Sequence, residues 1–221
     1  MFKHEKKLLQ PVRVDRPNPN YAVLIQEQLG GPNGELKSAL QYLAQSYRIK
    51  DPEIKDLFLD IAAEELCHME MIAETVKLLF GSTTDATEQT IGDVEAHIVT
   101  GFTPILANAS GVPFTAAYLD ETGDLAADLL SNISGEQRAK VVYQNLYRQI
   151  DDSGVRDTID FLLNREEAHN TMFREAFNKI ADFGSQQNWG VTEDSRLYFD
   201  LSSPGGQFFD PAKHQPPKFD M

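Results

Sequence analysis

Glu65 and His68 stand three residues apart, a spacing that puts both side chains on one face of a helix and within reach of one ion. One Glu-x-x-His is a weak signal, but Glu166 and His169 repeat it further along the chain. Glu35 precedes Glu65 by 30 positions, and Glu136 precedes Glu166 by the same 30. One offset of 101 therefore carries Glu35, Glu65 and His68 onto Glu136, Glu166 and His169. A dinuclear carboxylate site in a four-helix bundle takes this form: one Glu from each of two helices and one Glu-x-x-His from each of the other two. Taken alone, a Glu-x-x-His is more often two residues on a solvated helix face. The doubled set argues against that, because carboxylates and imidazoles inside apolar stripes need a partner or a metal.

The elements that must position these residues are readable from period and punctuation. Residues 1–20 carry Pro11, Pro17 and Pro19 and read as an extended arm. A helical run over Tyr21–Leu29 is interrupted by Gly30-Gly31-Pro32-Asn33-Gly34 and resumes to Ile49 with Glu35, Ala39, Tyr42, Ser46 and Ile49 in one stripe. Asp51-Pro52 is a cap followed by proline at the first helical position, so a second helix starts there and runs to Phe80. Its inward stripe is Ile54, Phe58, Ile61, Glu65, His68, Ile72 and Leu79. Residues 81–122 are broken by glycine and proline and read as a long crossover with one or two short helices.

A third helix covers about Asp124–Ile150, with Leu125, Leu129, Ile133, Glu136, Tyr143, Tyr147 and Ile150 inward. After the turn Asp151–Gly154, a fourth covers Val155–Phe183, with Val155, Ile159, Leu162, Glu166, His169, Phe173 and Ile180 inward. In each hairpin the single Glu lies 14 residues before the turn and the Glu-x-x-His Glu lies 13 after it. Both therefore reach one level, roughly 20 Å from the turn at the rise of an α-helix. The expected fold is all-α, a ferritin-like four-helix bundle with one long crossover over residues 1–183. Residues 184–221 form an extended tail whose six aromatics suit docking at a subunit interface.

Composition sets the outer bounds. At 221 residues the chain suits one domain with a sizeable core. A net charge of −14 argues against nucleic acid as partner. No apolar run reaches the length of a membrane span, and the charged start, Met1 to Lys7, lacks the apolar stretch of a secretory signal. The single cysteine, Cys67, forbids an intrachain disulfide and points to a reducing, cytoplasmic compartment. It reads as a packed core thiol. Tyr42, two turns beyond Glu35 on the same stripe, is either a partner of the cluster or an ordinary core residue. His4, His97 and His214 have no ligand spacing.

Several stretches together resemble the non-haem manganese catalases and their spore-coat relatives. They are Phe2-Lys3-His4, Leu29 through Glu35, Asp60 through Ile72, Gly111 through Ala116, and Phe161 through His169. The resemblance implies that Glu35, Glu65, His68, Glu136 and His169 bind two manganese ions, with Glu65 bridging, and that Glu166 is a nearby base. It implies disproportionation of hydrogen peroxide, with the pair of ions alternating between II,II and III,III. It also implies a homo-oligomer, a hexamer, in the cytoplasm or in a spore coat. Some members carry Arg immediately before the third ligand Glu; Gly135 stands there in this chain, which implies a more open entrance. Asp56 and Asp60 match a pair that in some members joins tail residues at a calcium site, for which Asp200 and Ser202 would be the partners. The other reading of Asp56 and Asp60 is a solvated face. The alternatives are a ferritin-like di-iron protein that oxidises or stores iron, and a spore-coat structural protein with secondary catalase activity. A rubrerythrin-type peroxidase would need Cys-x-x-Cys iron sites, which one cysteine cannot supply.

Overall fold

The structure is a computed structural model that describes residues 5–81, 101 and 103–183. Five α-helices carry it: α1 Pro19–Gly30, α2 Glu35–Ser46, α3 Pro52–Phe80, α4 Leu125–Gln149 and α5 Ser153–Phe183. Among the described residues there is no strand beyond an isolated bridge between Ala107 and Pro113. The first helix is broken where the sequence predicts. Asn18 caps α1 and Gly31–Gly34 separate it from α2. Asp51 caps α3 by accepting from the Glu53 and Ile54 amides at 2.9 and 3.1 Å. Asp124 caps α4, accepting from the Ala127 amide at 2.9 Å. Asp152 does the same for Val155 at the start of α5, at 3.0 Å.

The compact unit Met1–Asn178 holds the core. At one end Ile25 and Leu29 of α1 pack with Ile72, Val76 and Leu79 of α3, Tyr143 and Leu146 of α4, and Val155, Ile159 and Leu162 of α5. Toward the other end Phe173 meets Tyr42 and Phe58 edge-on, with ring centroids 4.9 and 5.2 Å away. The predicted ligand level lies between these apolar ends. A buried polar relay also ties the hairpins: Gln41 donates to Asn132, and Asn132 donates to Gln45, both at 2.8 Å. Glutamines hold the described part of the crossover as well. Gln26 donates to the Ala107 carbonyl at 2.8 Å, and Gln41 and Gln45 pin the backbone of Asp120. The crossover passes so close that a Cβ on Gly30 would lie 2.4 Å from the Ala107 nitrogen, so only glycine fits there. Its described part contains one short 3-10 turn, Ala116–Tyr118.

The predicted extended arm is held at the second turn. Arg13 pairs with Asp157 at 2.6 Å, and Asp15 accepts from the Ser153 amide at 2.7 Å. Two expectations need correction. Tyr147 is not inward: it is 40 % exposed, with the Arg156 guanidinium 5.1 Å above its ring. Cys67 is not core but half-buried, its thiol donating to the Ala63 carbonyl one turn back at 3.4 Å. It is rotated by one position from the His68 stripe, which puts it at the edge of the bundle. The expected tail, 184–221, lies outside the described residues.

Candidate metal centre

Helix periodicity delivers the six side chains to one level. Glu35, Glu65, His68, Glu136, Glu166 and His169 are all buried. Ligand atoms of Glu65, His68, Glu166 and His169 all lie within 4.8 Å of one another. Glu35 joins them through an Oε2 3.7 Å from His68 Nδ1. The groups converge on a common space rather than on each other. Glu65 Oε1 is 2.8 Å from His169 Nδ1, yet neither atom has a partner with hydrogen-bond geometry. Glu136 Oε2 and both oxygens of Glu166 are likewise buried without a hydrogen bond. That many orphaned buried acceptors would be costly in a purely structural core. Carboxylate and imidazole donors without sulfur suit manganese or iron, so the residues present fit a metal pair.

The orientation of the two histidines sharpens the fit. Both present Nδ1 to the cluster, and both turn Nε2 outward toward one carboxylate, Glu64, at ion-pair distances of 3.4 and 3.3 Å without hydrogen-bond geometry. Arg165 holds Glu64 from outside with contacts of 2.6 and 3.2 Å. A carboxylate behind a histidine's distal nitrogen fixes the ring and its tautomer and strengthens the inner nitrogen as a ligand. Two tyrosines play the matching part for the carboxylates. Tyr42 donates to Glu136, and Tyr143 donates to Glu35. Each tyrosine lies seven residues beyond the Glu of its own hairpin and serves the Glu of the other.

Electrostatics separates residues that look equivalent. Burial pushes Glu65 up, but the positive charges of His169 and His68 close beside it outweigh burial and hold Glu65 far below the usual carboxylate range. Glu166 is pushed well above that range by burial and then by the charges of Glu65, Glu136 and Glu35. Burial and Glu65 raise Glu35 to about 8 and Glu136 to about 7. Burial opposes charge on His169, yet Glu65 and Glu64 raise it to about 10. His68 is also raised, against its burial, by the carboxylates of Glu35, Glu64 and Glu65 around it. Without a metal, two imidazolium ions supply the positive charge that this carboxylate shell requires.

Sequence reasoning identifies the six central residues but misses Glu64, Arg165 and the role of Tyr143. A signal is present: the offset of 101 also relates Tyr42 to Tyr143 and Glu64 to Arg165. Asp56 and Asp60 are exposed on α3, and their expected calcium partners Asp200 and Ser202 lie outside the described residues.

The bundle and its buried carboxylate–histidine cluster define a ferritin-like metal-binding protein. More narrowly, the chain belongs to the manganese catalase family: residues 1–199 match the family described as manganese containing catalase. It is 62 % identical over 218 residues to a probable manganese catalase of Clostridium acetobutylicum, covering 98 % of this chain and 97 % of that one. It is 44 % identical over 182 residues to protein CotJC of Bacillus subtilis, covering 80 % of this chain and 93 % of the relative. Among solved structures it is similar to KatB, a manganese catalase from Anabaena, with TM-score 0.81, 34 % identity and 95 % of both chains covered.

Proposed function

We propose that this protein disproportionates hydrogen peroxide to water and oxygen at a two-manganese site. The observation that carries this function is the convergence of buried Glu and His groups in a chain of this family, with Glu65 Oε1, Glu136 Oε2, both Glu166 oxygens and His169 Nδ1 lacking a hydrogen-bond partner among the described residues. Glu35, Glu65, His68, Glu136 and His169 would hold the ions, with Glu65 shared, since its two oxygens lie beside the inward Nδ1 atoms of both imidazoles, at 3.1 and 2.8 Å. Two manganese ions supply a reversible two-electron change, so peroxide serves in turn as reductant and oxidant and no organic donor is consumed.

The remaining task is proton transfer. Oxidising one peroxide to oxygen releases two protons, and reducing the next to two waters takes two up. Glu166 is suited to hold one of them: its carboxyl favours the protonated form and neither oxygen is engaged elsewhere. Glu64 and Arg165 orient the histidines, and Tyr42 and Tyr143 orient the terminal carboxylates. By family resemblance the enzyme is a homo-oligomer of six chains. In the test, purified protein is analysed for metal, sized by light scattering and given peroxide at an oxygen electrode. The expected result is about two manganese per chain, a six-chain particle and oxygen release without an added donor. Iron-only protein that consumes peroxide without releasing oxygen would sink the catalase function.

A further inference from the structure

Lys37 sits two residues beyond Glu35, in the first turn of α2, and is only 3 % exposed. No hydrogen bond or ion pair joins its ammonium to a described residue, although the ammonium is not one of the fully buried atoms without a partner. A lysine is almost never this buried unless something balances its charge. The acidic groups whose fields reach it are Asp120 and Glu136, and Arg138 opposes them. Neither carboxylate comes within ion-pair distance, and Glu136 already takes the Tyr42 proton.

The space beside this ammonium has a definite shape. Gly135 presents its bare α-carbon to it. A Cβ built there would lie 3.8 Å from Lys37 Nζ, 3.9 Å from the Tyr42 hydroxyl and 4.0 Å from Arg138 Nη2. The notch is therefore about one methyl group wide and walled by donors. Arg138 gives its Nε–H to Asn33 at 2.9 Å and its Nη1–H to Ser134, which leaves the Nη2 that faces the notch without a described acceptor. Asn33, Ser134 and Arg138 also line a surface pocket of about 610 Å³, so the Arg138 side of the notch adjoins solvent. Lys37 and Arg138 are themselves related by the offset of 101, as are Gly34 and Gly135. At Gly34 the corresponding space is closed: a Cβ there would lie 2.6 Å from the Gln28 carbonyl oxygen. Only the second hairpin opens this space to two cations.

We propose that Lys37 Nζ and Arg138 Nη2 form a binding site for a small inorganic monoanion of halide size, with Gly135 as its floor. The anion supplies the acceptor that both cations lack among the described residues and lies beside Glu136 without being a metal ligand. The site does not depend on the catalase function, because its donors belong to the protein alone.

Bromide is the probe, followed by anomalous scattering in crystals of both metal-free and manganese-loaded protein and by melting temperature in solution. Wild type is expected to show bromide touching Lys37 Nζ and Arg138 Nη2 in both forms. Its melting temperature should rise with bromide beyond the effect of equal sodium gluconate. Lys37→Met keeps the stem and removes the charge, and should weaken bromide binding about tenfold or more. Gly135→Ala leaves both cations in place but fills the notch at ordinary contact distances, and should abolish the peak while the fold stays intact. A wild-type notch without bromide, or an undiminished peak in Lys37→Met, overturns the site. So does a crystal peak with no bromide-dependent stabilisation in solution, which would mean binding at crystal concentration only. Because metal-free protein carries the decisive reading, a failed catalase assay leaves this result standing, and failure here leaves the metal centre untouched.

Discussion

The two hairpins, α2–α3 and α4–α5, are near copies at the level of chemistry and unequal at the level of charge. The offset of 101 aligns the turn aspartates Asp51 and Asp152, the tyrosines, the terminal carboxylates, the Glu-x-x-His pairs and the cations Lys37 and Arg138. The tyrosines cross over, so each hairpin orients the other's terminal carboxylate. Yet Glu65 is close to both imidazoles, whereas Glu166 lies 3.6 Å from His68 Nδ1 and has no hydrogen bond. Behind them the pattern diverges again: Glu64 faces both histidines, and its counterpart is Arg165, which neutralises it. A single carboxylate–guanidinium pair, with one residue from each hairpin, thus serves both rings. Repetition builds the donor set, and departure from it assigns the roles.

The largest effect should come from changing the two central carboxylates in the same way. Glu65→Gln should leave the site without metal and without activity, because it removes the anion shared between the two imidazoles. Glu166→Gln should retain near-full manganese and lose on the order of 10²-fold or more in turnover, the usual worth of acid–base catalysis. Metal analysis beside oxygen release reads both. Equal loss of metal in the two variants would make the hairpins symmetric after all and Glu166 a second bridge.

The terminal carboxylates differ by less. With Glu35 raised to about 8 and Glu136 to about 7, both are largely protonated in metal-free protein at pH 6, as are the two histidines. Manganese needs these protons removed, so its affinity should rise at least about tenfold per pH unit between 6 and 8. The metal-free protein moves the other way. Carboxyls raised above their unfolded value lose stability as pH climbs from about 4.5 through 7 and 8. His169, raised to about 10, contributes stability below about 6.5 and loses it as pH rises through that raised value. The melting-temperature gap between loaded and metal-free protein should therefore widen from pH 6 to 9. A constant gap would mean that these groups are already ionised before metal binds.

The tyrosines test whether the crossed arrangement is as even as it looks. Tyr42→Phe and Tyr143→Phe each remove one hydrogen bond to a terminal carboxylate and leave the packing. Each should cost about tenfold in manganese affinity, the lower end for groups that orient metal ligands. Competition with a chelator measures it. A large inequality would show that the two ends of the site are held by different means.

Much of this architecture is legible in the amino-acid sequence, for definable reasons. Caps and breaks are local, so Asp51-Pro52 and the Gly30–Gly34 run place α1, α2 and α3 to within two or three residues. The six central residues are legible because polar groups inside an apolar stripe violate its period. Glu64 is not, since a second Glu beside Glu65 looks like an ordinary solvated face; only the histidine ring directions show that both rings reach it. Lys37 resembles surface charge for the same reason, and its burial comes from the opposite hairpin folding over it. Tyr147 follows Tyr143 by four positions, but the covered face of α4 runs on through Leu146 and Ile150, both buried, so Tyr147 falls outside it, with Arg156 over its ring. Periodicity allows steps of three or of four, and packing decides which of two neighbouring positions faces the core.

The smallest expected difference lies at the turns. Asp51 and Asp152 hold the same position in their hairpins, and each caps the helix that follows. A cap aspartate replaced by alanine typically costs about 1 kcal/mol. Asp51→Ala should cost about that, since the cap to the Glu53 and Ile54 amides is what it removes. Asp152 does more: its second oxygen accepts the Asp15 amide at 2.8 Å, tying the N-terminal arm to the turn, and the side chain is buried. Removing it strands a part-buried amide and loosens the neighbouring contacts of Asp15 with Ser153. A further loss of about 1 kcal/mol follows from one such unmade bond. At about 2–4 °C per kcal/mol for a chain of this size, Asp152→Ala should melt about 2–4 °C below Asp51→Ala. Metal-free protein is the right sample, since bound metal would add its own stabilisation to both. Asp152→Asn keeps the Oδ1 acceptor for the cap and loses the second oxygen, so it should fall between wild type and the alanine variant. If Asp51→Ala and Asp152→Ala melt together, the arm contributes nothing through this contact, and the two turns are equivalent in energy as well as in sequence.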